Sequence, residues 1–151
     1  MFYGVSILID YKDCFKQGLL RKVEPSKEKG KISLKKAEEW LSESEKNISV
    51  SAYDSCIASS YMAMFHSSRA ILFRDGVREK SHFCLARYLE KYVNEGLLED
   101  EWVLLFDRIR DIRHRDQYSL QHHSTEEESS SVIKNATRFV KRMNKLLNDT
   151  G

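Results

Sequence analysis

Apolar residues recur at intervals of three and four along most of this chain, with Lys, Glu and Ser between them, and that spacing predicts one helix after another. Leu34, Ala37, Leu41 and Ile48, widened by Trp40, mark an amphipathic helix of about 20 residues after Pro25. From Ser51 to Arg74 apolar, Ala and Ser positions leave few charges, so this helix is expected at the centre of the fold, stopped by Gly76. A shorter helix after Ser81 carries Leu85, Tyr88, Leu89 and Tyr92 on one face and ends at Gly96; the next starts near Glu99 and Asp100. The last has the plainest pattern. Ser124 and Glu127 stand at capping-box spacing, and Val132, Ile133, Ala136, Phe139, Val140, Met143, Leu146 and Leu147 follow on one face.

One proline and six glycines leave little of the punctuation that strands and hairpins need, so an all-α antiparallel bundle of four or five helices is predicted. At 151 residues and 41% hydrophobic content the chain makes a single domain over residues 1–151, with residues 1–25, and a short helix around Tyr11 to Leu20, the least defined part. The opening MFYGVSILID has no basic region and is too short for a membrane span, so no membrane association is expected. Three dispersed cysteines, Cys14, Cys56 and Cys84, argue against disulfides and for a reducing cytoplasm.

The 25 basic and 23 acidic side chains nearly cancel, so any polyanion site must be local. The segment RIRDIRHRDQYSLQHH, residues 108–123, is where basic and aromatic groups concentrate. At 100° per residue, Trp102, Leu105, Phe106, Ile109 and Ile112 share one inward arc, and Arg113 and Asp116 fall on it. Arg108 and Arg115 lie on one flank, Arg110 and His114 on the other. An inward arginine needs a partner, which Asp116 supplies in a structural ion pair; the alternative is an anion-binding group at a cleft. Arg110 and His114, at i and i+4, either grip a phosphate or form an exposed helix face, and the 32% charged content favours the exposed face. His122 and His123 are adjacent and do not have the spacing of a helical metal pair, so no metal site is expected. His66 and His82 read as structural histidines, and the chain has no glycine-rich phosphate loop, GxSxG, HExxH or CxxC.

The run AYDSCIASSYMAMFHSSRAILFRDG (residues 52–76) followed by Ser81-His82 resembles the central helix of HEPN domains, the higher eukaryote and prokaryote nucleotide-binding bundles. CFKQGLLRKVEPS and DIRHRDQYS look like the small uncharacterised archaeal and bacterial branch of that family. The resemblance implies a four- or five-helix up-and-down bundle, usually a homodimer, often paired with a minimal nucleotidyltransferase as toxin and antitoxin. Active members are metal-independent ribonucleases in which an arginine is followed, after four to six residues, by a histidine at a dimer cleft. Arg108 with His114 matches that spacing but lies about 120° from it on the wheel. Arg113 with Tyr118 resembles the branch's arginine-to-tyrosine pattern and is the preferred register, although Gln117 stands where the branch carries Asp, and Asp116 is one place earlier. A tyrosine of ordinary pKa near 10 is a poor general base, and His114 compensates only if the helix ends early.

The favoured reading is therefore a HEPN-like dimer that binds a nucleotide, RNA or a partner nucleotidyltransferase through Arg113, Tyr118, Asp116 and Arg110, with weak or no catalysis and no cofactor. The alternatives are an active ribonuclease using Arg108 or Arg113 with His114, and a non-catalytic helical adaptor.

Overall fold

The computed structural model describes residues 9–151. Its elements run α1 (Tyr11–Lys16), β1 (Leu20–Lys22), α2 (Lys27–Ser49), α3 (Tyr53–Asp75), β2 (Val77–Glu79), α4 (His82–Asn94), α5 (Asp100–Tyr118) and α6 (Glu126–Asp149). The helices foreseen from the periodicity are all present, and the chain is an all-α bundle with a minor two-stranded sheet.

Capping chemistry sets most boundaries. Ser26 and Ser81 accept from the backbone N–H groups of Lys29 and Cys84 and open α2 and α4. Gly76 closes α3 in the left-handed region at φ 78°, where a Cβ would lie 2.6 Å from the Val23 carbonyl oxygen. The capping box of α6 falls one residue later than expected, at Thr125 and Glu128. The reason is that Ser124 is engaged elsewhere: its hydroxyl donates to Asp116 (2.7 Å) and its N–H to Asp54 (2.9 Å).

α3 is the hub, with buried residues around its whole circumference, and α2, α5 and α6 pack on it while α4 covers its end. Tyr61, Ile57, Met64 and Ile71 from α3 meet Leu85 and Leu89 of α4, Phe106 and Ile109 of α5, and Phe139 and Met143 of α6 in one core. The α2–α3 seam is different. Ser33, Ser44, Ser59 and Ser60 are buried there; the Ser44 hydroxyl donates to Ser59 (2.8 Å), Ser60 donates to Ser44 (3.1 Å), and Ser33 donates to the His66 carbonyl (2.7 Å). Small side chains let the two backbones approach closely, and their hydroxyls are satisfied across the seam.

Arg74, 8% exposed, fastens the far end of the bundle. It donates to Asp75, to the carbonyls of Leu147 and Thr150, and to the Tyr92 hydroxyl, while Tyr88 and Tyr92 both donate to Asp75.

Two features overturn sequence expectations. β1 and β2 pair antiparallel with Leu20 opposite Glu79 and Lys22 opposite Val77, and strands of three residues are too short to leave a period-2 pattern. Cys14 and Cys84 form a disulfide across 70 residues, because α1 docks on α4 and brings their Cα atoms to 5.8 Å. Cys56 alone is free, and the case the cysteines made for a reducing compartment falls. Among the described residues no helix is long and apolar enough to cross a membrane.

Candidate anion-binding site

α5 runs unbroken through Tyr118, and its polar residues are distributed to three separate places. Arg108 is exposed in a groove between α5 and α6 beside Trp102, Leu105, Asn135 and Arg138, away from His114. Asp116 is drawn under the loop after α5, where its carboxylate, 4% exposed, accepts from Ser124 (2.7 Å) and Arg115 (3.1 Å), with His122 Nε2 nearby at 3.3 Å but not hydrogen-bonded to it. Arg110, Arg113 and His114 instead line a shallow cavity of about 380 Å³ with Asp111 and His82.

Of the two readings of Arg113, the structural ion pair with Asp116 does not form. Both residues border a smaller cleft with Asp54, Ser55, Ala58 and Gln117, yet no hydrogen bond or salt bridge joins them. Asp116 is already engaged by Arg115 on its own turn and by Ser124 in the following loop. Arg113 lies over the ring of Tyr61 with its guanidinium carbon 4.7 Å from the centroid, and among the described residues its buried Nε has no partner. The aromatic face holds the guanidinium in place without neutralising it. Arg110 is more committed, with Nη1 2.8 Å from Asp107, an aspartate that also receives Arg87.

His114 lies on the exposed rim, its ring 4.6 Å from that of Tyr118, which is itself 69% exposed. α5 does not end early; His114 follows Arg113 directly and borders the same cavity while the helix continues. His114 is exposed, as expected of a solvated face, whereas Arg110 is partly buried; both border the shallow cavity.

Two residues of this site were not singled out as functional in the sequence. Tyr61 of α3 and His82 of α4 are joined by a 2.7 Å hydrogen bond between the tyrosine hydroxyl and Nδ1, and the His82 ring is stacked against Tyr61 and Phe65. Burial pushes the Tyr61 phenol above its ordinary value, so it is protonated. Burial first, then Arg113 and Arg110, hold His82 below the usual histidine range. Both lie in the run that carries the family resemblance, but nothing in that run shows that they meet at the cavity, which is assembled from three helices distant in sequence.

His66 lies on another face, where burial, Arg69 and Lys36 lower its pKa to about 4. His122 turns toward Asp116 and Glu128, and His123 toward Asp54; among the described residues no cluster of three or more His, Cys, Asp or Glu could hold a metal ion.

The pattern of the HEPN domain matches residues 31–146, which takes in the whole of α3, α4 and α5 and most of α2 and α6. The chain belongs to the HEPN domain family. It is 32% identical over 114 residues to "Putative toxin MJ0605" of Methanocaldococcus jannaschii, covering 75% of this chain and 84% of that protein. It is 24% identical over 117 residues to a UPF0332 protein of Archaeoglobus fulgidus, covering 78% of this chain and 94% of that protein. The HEPN match spans every residue of the cavity, and the α1–β1 segment that carries Cys14 lies before it.

Proposed function

We propose that this HEPN protein is toxin-like and binds the phosphate of RNA or of a nucleotide in the cavity lined by Arg110, Arg113, His82 and His114 together with Asp111. The observation that carries the reading is Arg113: a guanidinium pinned on an aromatic ring, with a buried Nε unpartnered among the described residues, beside a second arginine at a concave surface. A pre-positioned cation left unneutralised by the fold is suited to an anion from outside, and arginine matches phosphate geometry. The similarity to a protein named as a putative toxin supports a role in a two-protein pair; a minimal nucleotidyltransferase as partner and a homodimer as the working form are what the HEPN resemblance implies. Tyr118 and Gln117, at the exposed end of α5, extend the binding surface, and Asp116 acts by holding the loop that frames it.

A second reading, metal-independent RNA cleavage, is favoured by one observation: His114 borders the same cavity as Arg113. There the 2′-hydroxyl oxygen would bond to phosphorus, its proton passing to His114, as the bond to the 5′-oxygen breaks and that oxygen takes a proton from water. Arg113 and Arg110 would stabilise the charge of the phosphorane.

Both readings are tested by incubating a labelled mixed-sequence RNA with the purified protein in EDTA and following anisotropy and strand length together. Binding without cleavage, weakened in Arg113→Ala, is the expected result. Cleavage lost in both Arg113→Ala and His114→Ala would establish the ribonuclease. RNA neither bound nor cut would leave the adaptor reading standing.

A further inference from the structure

His82 lies in the same cavity but contributes differently from the arginines. The buried Tyr61 hydroxyl is protonated, and among the described residues Nδ1 of His82 is its one hydrogen-bond partner. If Nδ1 carried the proton, it would donate to the phenol oxygen and the buried phenolic hydrogen would be left without an acceptor, which is unfavourable. The phenol therefore donates, and the ring proton resides on Nε2. Stacking between Tyr61 and Phe65, with ring centroids at 5.7 and 4.4 Å, fixes the plane of the imidazole. Nε2 has no hydrogen-bond partner among the described residues, and the ring lines the cavity beside Arg110 and Arg113.

We propose that Tyr61 locks His82 as the neutral Nε2–H tautomer, and that this N–H is a third donor, with Arg110 and Arg113, to a non-bridging oxygen of an RNA phosphodiester. A neutral donor suits the position. A third cation there would be repelled by two guanidinium groups, whereas an uncharged N–H adds a directed hydrogen bond without that penalty. The role rests on the cavity reading above and goes beyond it by assigning the orientation of the bound group to α3 and α4 rather than to α5 alone.

The test has a spectroscopic arm and an affinity arm. Long-range ¹H–¹⁵N spectra of the full-length protein assign the His82 tautomer with no ligand present, and titration with inorganic phosphate follows its ring signals. The expected spectrum is Nε2–H, with the His82 signals moved by phosphate, and a mixture of tautomers in Tyr61→Phe, which keeps the ring beneath Arg113. His82→Phe retains the stack and removes the donor; labelled RNA should bind it about tenfold more weakly. His82→Gln, whose amide nitrogen reaches the Nε2 position, should stay within about threefold of the parent. An Nδ1–H tautomer would overturn the proposal, as would parental affinity in a folded His82→Phe variant while Arg113→Ala is impaired, and in either case the cavity reading survives. Phosphate leaving the His82 signals unmoved, with both variants at parental affinity, would overturn the two together.

Discussion

Replacing Arg113 with alanine separates what the fold needs from what a ligand needs. In the folded protein the substitution removes a cation–π contact at 4.7 Å from the Tyr61 centroid, about 0.5–2 kcal/mol, and among the described residues no ion pair. It also deletes a buried Nε that has no partner, which offsets part of that loss. The net change in unfolding free energy should lie within about 1 kcal/mol, or about 4 °C in Tm for a chain of this size. Binding should respond far more. A charge-assisted hydrogen bond is worth about 1.5–3 kcal/mol, so RNA affinity should fall about ten- to hundredfold. Each single-stranded phosphate contact contributes about −0.7 to the slope of log K against log salt, and the variant's slope should be shallower by about that amount. Circular dichroism melts and anisotropy titrations across a potassium chloride series measure both. A Tm drop beyond about 10 °C would make Arg113 a structural residue. Weaker binding with an unchanged salt slope would show that it touches something other than phosphate.

Arg74→Met strands the carbonyls of Leu147 and Thr150 and the carboxylate of Asp75, so urea unfolding should show a loss of about 3–5 kcal/mol; a loss under 1 would refute the network's role. Cys14→Ser opens a closure spanning 70 residues and should cost up to about 4 kcal/mol by chain entropy, with reductant lowering the parent's urea midpoint but leaving the variant's alone. Glu99, hydrogen-bonded by Arg142 and Trp102, has its pKa lowered from 4.5 to about 2. Its contribution is therefore complete above pH 4.5 and disappears as pH falls toward 2. Screening limits it to about 1 kcal/mol at this exposed position, and Glu99→Gln should flatten the acid limb of a stability profile by no more than that.

The helices were legible because burial leaves its period in the sequence. Val132 through Leu146 of α6 and Trp102 through Ile109 of α5 occupy the faces their spacing assigns. The α2–α3 seam was only half legible, since buried Ser33, Ser44, Ser59 and Ser60 count as polar in any pattern yet pack like small apolar residues. Partner choice was less legible still. A wheel places Arg113 and Asp116 on one arc, but it cannot show that Ser124 takes the carboxylate from a loop eight residues on. The same limit hid Tyr61 and His82, whose meaning arises only where α3 and α4 meet α5. Cys14 and Cys84 were misread because α1 is a helix of six residues whose docking on α4 carries no sequence signal.

The serine-lined seam also bears on the order in which the chain organises itself. α2 and α3 are consecutive and joined by Val50, Ser51 and Ala52 alone, so docking them closes a very short loop at little entropic cost. α6 reaches the same hub only across the span of α4 and α5. A hairpin with its hydroxyls already paired is therefore the natural nucleus, and α5, with Arg110 and Arg113, is laid onto a surface that already exists. Enlarging Ser44 or Ser60 should slow folding, whereas changes at the cavity should leave the folding rate alone and act on how fast the finished bundle opens. Binding chemistry can then vary on α5 without disturbing the step that commits the chain to its fold.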